Sequence, residues 1–226
     1  MDYTFITTDT ETASLEGGIC EFALIETDVD FNEIRRVESL IDPERTINFS
    51  AMGTHHITPE MVWDKPTMAE YVEHYGNPFM RPNLIVCGHN VKFDCKVLGE
   101  YLPRDHKIID TLKLSRQVYP DAEDHRLGTI RYQHGLEAGE AHRAMGDVVT
   151  CLNFLRHLCR ELNTNALGLL ERMAQPISPL NRMTFGKHRG DRICDLPSGY
   201  MKWCLNQDDF DPELQEVMRT LVSKGR

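Results

Sequence analysis

Asp9 and Glu11 stand two residues apart at the end of an apolar, β-rich run, Tyr3–Glu11. On a strand that spacing sends both carboxylates out of one face, with Cα atoms roughly 6.5–7 Å apart. Two solvated acids at a strand end would look the same. Asp94 closes a second stretch, Asn90-Val91-Lys92-Phe93-Asp94, which follows the apolar run Asn83–Gly88 and opens a helical pattern. There Asn90 is a good N-cap, and Asp94 is an acid in a first turn, where the helix dipole favours it in any protein. His142 and Asp147 bound a third stretch, His142-Arg143-Ala144-Met145-Gly146-Asp147. Five residues along one helix is about 500°, which leaves the two side chains about 140° apart around the axis. They converge only if His142 lies in the entry loop and the helix begins after it, which Gly139 permits. The alternative is an exposed His ahead of a helix with an Asp on its surface.

Jointly these residues make a demand that none makes alone. Carboxylates gathered in one cleft repel, by roughly 4 kcal/mol per pair at about 4 Å and an effective dielectric of 20. Divalent cations would relieve this, and all-oxygen donors suit Mg²⁺ or Mn²⁺ rather than zinc. Two such ions can hold an attacking and a leaving oxygen in line at a phosphorus. A nearby His can take the proton of the attacking water near neutral pH. The chemistry that fits is hydrolysis of a phosphodiester.

The elements that must position these groups can be read from periodicity. Tyr3–Glu11, Ile19–Val29 and Ile34–Asp42 read as three strands close enough in sequence for an antiparallel meander. Asn83–Gly88 and Lys107–Asp110 read as further strands, the first buried on both faces. Helical patterns cover Thr67–Tyr75, Val91–Tyr101, Thr111–Val118, Arg126–Tyr132 and Arg143–Leu162. Asp110-Thr111 fits a helix cap better than a ligand. The order predicts an α/β fold, a mixed sheet with helices on its faces. Gln175–Leu180, with two Pro, reads as a linker. Beyond it, Met183–Gly190 reads as a strand, and Ser198–Asn206 and Pro212–Ser223 as helices, the last capped by Asp211.

Bulk composition narrows the classes. The chain has 226 residues, 41% hydrophobic and 27% charged, as in a globular protein. No apolar run reaches the roughly 18–20 residues needed to cross a bilayer, and the first residues lack a secretory pattern. A cytoplasmic protein without a membrane partner is expected. Seven Cys form no Cys-x-x-Cys pair; Cys20, Cys87, Cys151 and Cys204 sit among apolar residues and read as reduced core positions. The net charge is −10, against the basic balance of proteins that grip long duplexes. Any nucleic acid must be handled at a local site, with metal ions supplying positive charge.

TDTETASL, HNVKFD and HRAMGD resemble, in order and spacing, the three motifs of the DEDDh branch of the DnaQ-like exonuclease superfamily. His142 in the His-x4-Asp arrangement separates this branch from the DEDDy one. The resemblance covers roughly residues 3–162 and implies an RNase H-like fold, two Mg²⁺ for which Mn²⁺ substitutes, and release of 5′-mononucleotides from 3′ ends. By carry-over, Asp9 bridges both metals, Glu11 and Asp147 support the ion that activates water, Asp94 holds the other, and His142 is the base. Ile57 with His56 and Thr58 resembles the family's H-x-I-T segment at the terminal-nucleotide pocket. Leu15 matches an apolar residue set against the terminal base, and Thr10, Asn90 and Phe93 complete the expected substrate contacts. For Leu15 and Ile57 a plain core role fits equally.

Thr184–Gly190, Asp195-Leu196-Pro197 and Tyr200–Trp203 resemble a small C-terminal module of exonuclease X-like proteins. The implied division is a nuclease domain at 1–173, a linker at 174–182 and a small α/β module at 183–226. Lys187, Arg189 and Arg192 form the tail's basic concentration, read either as phosphate contacts near Trp203 or as an exposed basic turn. The expected substrate is DNA at its 3′ end, with single strands preferred and duplex ends possible, in a repair setting. RNA trimming by the same fold is the nearest alternative, since nothing visibly reads a 2′-hydroxyl. A catalytically silent binding module is another, disfavoured by the intact five-residue set. The sequence says nothing about oligomeric state.

Overall fold

The computed structural model describes residues 3–137, 139, 142–207 and 210–225. β1 (Thr4–Ser14), β2 (Gly17–Thr27) and β3 (Glu33–Leu40) form the antiparallel meander. α1 (Phe49–His55), α2 (Pro59–Val62) and α3 (Met68–Tyr75) lead to β4 (Leu84–Gly88). Then come α4 (Lys92–Leu98), β5 (Lys107–Asp110), α5 (Thr111–Val118), α6 (Leu127–Gln133), α7 (Ala144–Glu161) and α8 (Ala166–Arg172). α9 (Ser198–Cys204) and α10 (Pro212–Ser223) complete the tail. The sheet order is β3-β2-β1-β4-β5, with β4 and β5 parallel to β1.

β1 is central, which explains its apolar start: Phe5 and Ile6 point to opposite faces and both are buried. On one face Phe5, Ala23, Ile25 and Cys87 pack against Val148, Leu152 and Leu155 of α7. On the other, Ile6, Phe22, Leu24 and Val86 meet Met68 of α3 and Leu98 of α4. β4 (LIVCG) is buried along its whole length, as a strand covered on both sides must be. Gly88 ends it where a Cβ would stand 2.6 Å from Val91 and 3.0 Å from the Thr8 carbonyl oxygen. The chain can therefore turn into α4 close against β1.

The tail has a separate core of Ile177, Met183, Ile193, Met201, Leu214 and Met218, so Ile177, within the segment read as linker, is packed. The strand expected at Met183–Gly190 is replaced by turns, with one isolated bridge, Arg182 to Arg192. Gly186 and Gly190 adopt φ of 71° and 89°, and Gly190 N–H donates back to the Met183 carbonyl, folding the segment on itself. Arg116 anchors the tail to the sheet domain, with Nη1 2.7 Å from Asp211 Oδ2 and 3.3 Å from Glu213 Oε2. Among the described residues no helix is long and apolar enough to cross a membrane, and Cys20, Cys87, Cys151 and Cys204 are free thiols buried in the cores.

Candidate active site

Asp9, at the middle of β1, and Glu11, two residues on, project to the side covered by α7, and the β1–β2 register shifts just past Glu11, between Glu11 and Thr12. Such a bulge re-aims the side chains next to it. Asp147 lies in the first turn of α7. Asp9, Glu11 and Asp147 each bring a carboxylate oxygen within 4.8 Å of the others, the one group of this kind among the described residues. Three hard oxygen donors at that spacing suit a divalent cation of the Mg²⁺ or Mn²⁺ type.

Asp94 belongs to the same charge cluster but not to that trio. It is buried in the first turn of α4, where its Oδ1 accepts from Thr10 N–H at 2.9 Å and Thr10 Oγ1–H at 2.7 Å. Thr10 thus ties α4 to the strand between its two acids. Asn90 is not the cap expected from sequence. Val91 holds the N-cap position, while Asn90 turns left-handed (φ 59°) and donates its N–H to Asp110 Oδ1 at 2.9 Å. The same Asp110 oxygen caps α5 through Leu112 N–H, so one buried acid fixes the α4 entry turn and the start of α5.

Burial and mutual repulsion raise the acids together. Asp9 is pushed well above the carboxylate range, first by burial and then by Asp94, Glu11, Asp147 and Glu21. Glu11 is raised to about 7, by burial, Asp147, Glu21 and Asp94, with Arg143 opposing. Asp94 is raised to about 7 by burial, although the Thr10 hydrogen bonds pull it down. Asp147 is raised by burial, with His142 opposing. A bound divalent cation would relieve this repulsion and return the acids to their ionised form.

The sign of the pH effect follows. For Glu11 and Asp94 the folded-state pKa lies above the unfolded one. Their contribution to stability is complete below 4.5 and 3.8, and is lost as pH rises through about 7. With chelator present, the thermal midpoint is expected to fall between about pH 4 and 7, and saturating Mg²⁺ should flatten the decline. Scanning fluorimetry at each pH, with and without the ion, reads this. A midpoint that climbs over that interval would contradict the clustering.

Glu21 was not singled out by its sequence. It faces Glu11 directly across the β1–β2 register and is 3% exposed. Both its oxygens receive the Arg143 guanidinium, the shortest contact being Nη2 to Oε1 at 2.5 Å. Oε2 also accepts from Ala144 N–H at 2.9 Å. The signal in the sequence was a lone acid inside the apolar run ICEFALI.

His142 occupies the exposed turn before Arg143, the N-cap residue of α7, with φ 59°. Gly139 makes that entry compact: a Cβ there would lie 2.5 Å from the Gly146 Cα. His142 lines a shallow groove with Arg126, Thr129 and Tyr132.

A separate pocket of about 790 Å³ opens beside Glu11, lined by Thr10, Leu15, Arg45, Asn48, His55 and Phe93 among others. Leu15 is 89% exposed at its rim, so it is no core residue. Ile57 is fully buried in a satellite core with Ala13, Cys20 and Val62. The histidine at the pocket wall is His55, not His56. His55 is buried, receives Ile57 N–H on Nδ1 and lies 3.2 Å from the Thr12 carbonyl through Nε2. His56 is the left-handed C-cap of α1 and is exposed. Asn90 lines clefts facing the tail rather than this pocket. In the tail, Lys187 lies over the Tyr200 ring at 5.3 Å and Arg189 is exposed. Arg192 is held by Asp121 at 2.6 Å.

Known proteins resemble this chain in sequence and fold. The Exonuclease family model matches residues 6–155, and a model described as a quorum-sensing-regulated virulence factor matches residues 175–223. Exodeoxyribonuclease 10 of Escherichia coli (strain K12) is 30% identical over 223 residues, covering 93% of this chain and 95% of its own. The DNA polymerase III epsilon subunit of Treponema pallidum (strain Nichols) is 33% identical over 159 residues, 66% of this chain and 73% of its own. The solved structure of exonuclease X in complex with 5′ overhanging duplex DNA matches with a TM-score of 0.62 at 27% identity, over 74% of this chain and 98% of that one. The fold and the chain-long likeness therefore converge, and this nuclease belongs to the exonuclease family of the DnaQ-like superfamily.

Proposed function

We propose that the protein is a Mg²⁺-dependent 3′→5′ exodeoxyribonuclease that releases 5′-mononucleotides from DNA ends, with single strands preferred. The observation that carries this is the grouping of Asp9, Glu11 and Asp147 beside a pocket rimmed by Leu15, with Asp94 held against the same strand. Asp9, Glu11 and Asp147 would hold one divalent ion, and Asp94, together with Asp9, would hold a second. When bound, the ions polarise the phosphate and favour ionisation of the attacking water. Thr10 keeps Asp94 aimed at the strand. Leu15 supports the terminal base, and Phe93 and His55 shape the pocket's wall. His142, which already acts on Asp147 across the start of α7, accepts the proton from the attacking water. The names of the relatives support DNA as substrate, since one is an exodeoxyribonuclease and another a subunit of DNA polymerase III.

A ladder assay with 5′-labelled DNA and RNA, single- and double-stranded, tests the reading. Shortening one nucleotide at a time with Mg²⁺ or Mn²⁺, and none with chelator, is expected on DNA. Activity confined to RNA, or initial release of the 5′ label, would overturn it.

The division at 1–173, 174–182 and 183–226 is retained as a proposal, with the tail as an accessory nucleic-acid contact. Arg192 is already held by Asp121, so Lys187 and Arg189 should carry most of any phosphate contact. Neutralising both is expected to raise KM on long single strands about 3–10-fold at low salt, with the difference shrinking as salt rises. Short oligonucleotides should be unaffected. Binding curves unchanged at every salt concentration would remove the tail from the substrate path.

A further inference from the structure

We infer that Glu21 and Arg143 form a clasp that positions the His142–Asp147 segment over the strand carrying Asp9 and Glu11. The inference rests on the hydrolytic reading above.

Glu21 occupies a poor place for an acid. Its neighbours Cys20, Phe22, Ala23 and Leu24 are buried, and it stands opposite another carboxylate. Like charges directly across a strand pair destabilise it, and a buried carboxylate persists only when fully paired. Here the pairing is complete. Arg143 Nε reaches both oxygens at 3.2 and 3.1 Å, Nη2 reaches Oε1, and Ala144 N–H takes Oε2. With its oxygens so occupied, Glu21 is not a further donor to the Asp9–Glu11–Asp147 group.

What the pairing achieves is placement. α7 begins without a side-chain cap of its own, its N-cap residue being Arg143. Ala144 is its first residue, and the carboxylate that caps this N–H comes from β2, 123 positions earlier. A negative group at a helix N-terminus also favours the macrodipole. The bidentate guanidinium adds directionality that a single charge would not. Asp147 follows one turn later on the same helix and His142 immediately precedes Arg143. One contact therefore sets where both stand relative to β1. Displacement by about 1 Å at a catalytic group costs on the order of 10²-fold in rate. Glu21 and Arg143 are thus positioning residues, expected to act on turnover and not on substrate capture.

The test uses the full chain with Glu21→Gln, Arg143→Lys and the double variant. Amide hydrogen exchange is followed in the metal-free protein, and kcat and KM are measured on a single-stranded oligonucleotide at saturating Mg²⁺. Each single variant is expected to speed exchange at Ala144–Asp147 about 10-fold or more, while β1 and β2 amides hold. kcat should fall about 10-fold or more with KM within about 3-fold, and the double variant should be no worse than the worse single one. Unchanged exchange at the first turn of α7, an intact kcat, or additive losses would overturn the clasp. So would faster exchange throughout the sheet, the mark of a merely structural pair. If Glu21→Gln does not fold, Arg143→Lys decides by the same readouts. If the wild type releases no nucleotides, the hydrolytic reading fails, and the exchange data still decide the clasp.

Discussion

Asp9→Asn is expected to abolish hydrolysis while making the metal-free protein more stable. The two effects have one cause. Asp9 is the carboxylate on which Asp94, Glu11, Asp147 and Glu21 all act, and burial adds to their repulsion. Asn keeps the volume but not the charge. Removing the charge takes away the central donor for a cation, so activity should drop on the order of 10³–10⁵-fold. It also removes repulsion that at about 4 Å and an effective dielectric of 20 has a scale of roughly 4 kcal/mol per pair before screening. Protonation in the folded state already relieves part of this at low pH. The folded-state pKa is raised, so the penalty grows as pH climbs, and the gain from Asn grows with it. The gain from Asn is expected to be larger at pH 8 than at pH 5. Chemical denaturation with chelator at two pH values measures it. Added Mg²⁺ should stabilise the wild type and leave Asp9→Asn nearly unmoved. A variant that is inactive yet less stable at every pH would mean that Asp9 serves the fold and not a cation.

That coupling shows which parts of the site the sequence could disclose. Asp9 and Glu11 were readable because a strand's period of two fixes their common face, whatever lies around them. The His142–Asp147 spacing was readable as a contradiction, since one helix cannot aim both the same way. What stayed hidden depends on partners far along the chain. Asn90 resembles a helix cap locally, but Asp110, twenty residues on, accepts its N–H and holds it in a left-handed turn. Glu21 resembles a stray acid in a strand until Arg143, 122 residues later, covers it. His56, read as a pocket residue, is exposed, and its neighbour His55 lines the pocket. α1 ends in a left-handed cap that turns the second His outward, and an H-x-I-T alignment starting at His55 would have found the pocket residue. In the tail, the strand read at Met183–Gly190 lost to two glycines with positive φ and to a core that gathers Met183 by turns. Local chemistry announced the donors. The groups that aim them were announced only by being out of place.

His142 is expected to matter for rate and hardly for binding, and its variant must be chosen with its backbone in mind. The residue sits at φ 59°. In that region most side chains are strained by roughly 1–2 kcal/mol, and Asn tolerates it better than Ala. His142→Asn therefore removes the imidazole while respecting the turn. If His142 is the base, kcat should fall about 10²–10⁴-fold with KM nearly constant. The measurement belongs at saturating Mg²⁺, because Glu11 and Asp94, both raised to about 7 without a cation, would otherwise bend the pH profile themselves. With them ionised by the bound ions, the acid limb of log kcat in the wild type reports the base. In His142→Asn that limb should flatten, and added imidazole should restore part of the rate in proportion to its unprotonated fraction. Exposure of His142 in its groove beside Tyr132 leaves room for that small molecule. A variant with an unchanged acid limb and no response to imidazole would assign the proton to another group. The turn before α7 would then serve only to deliver Asp147.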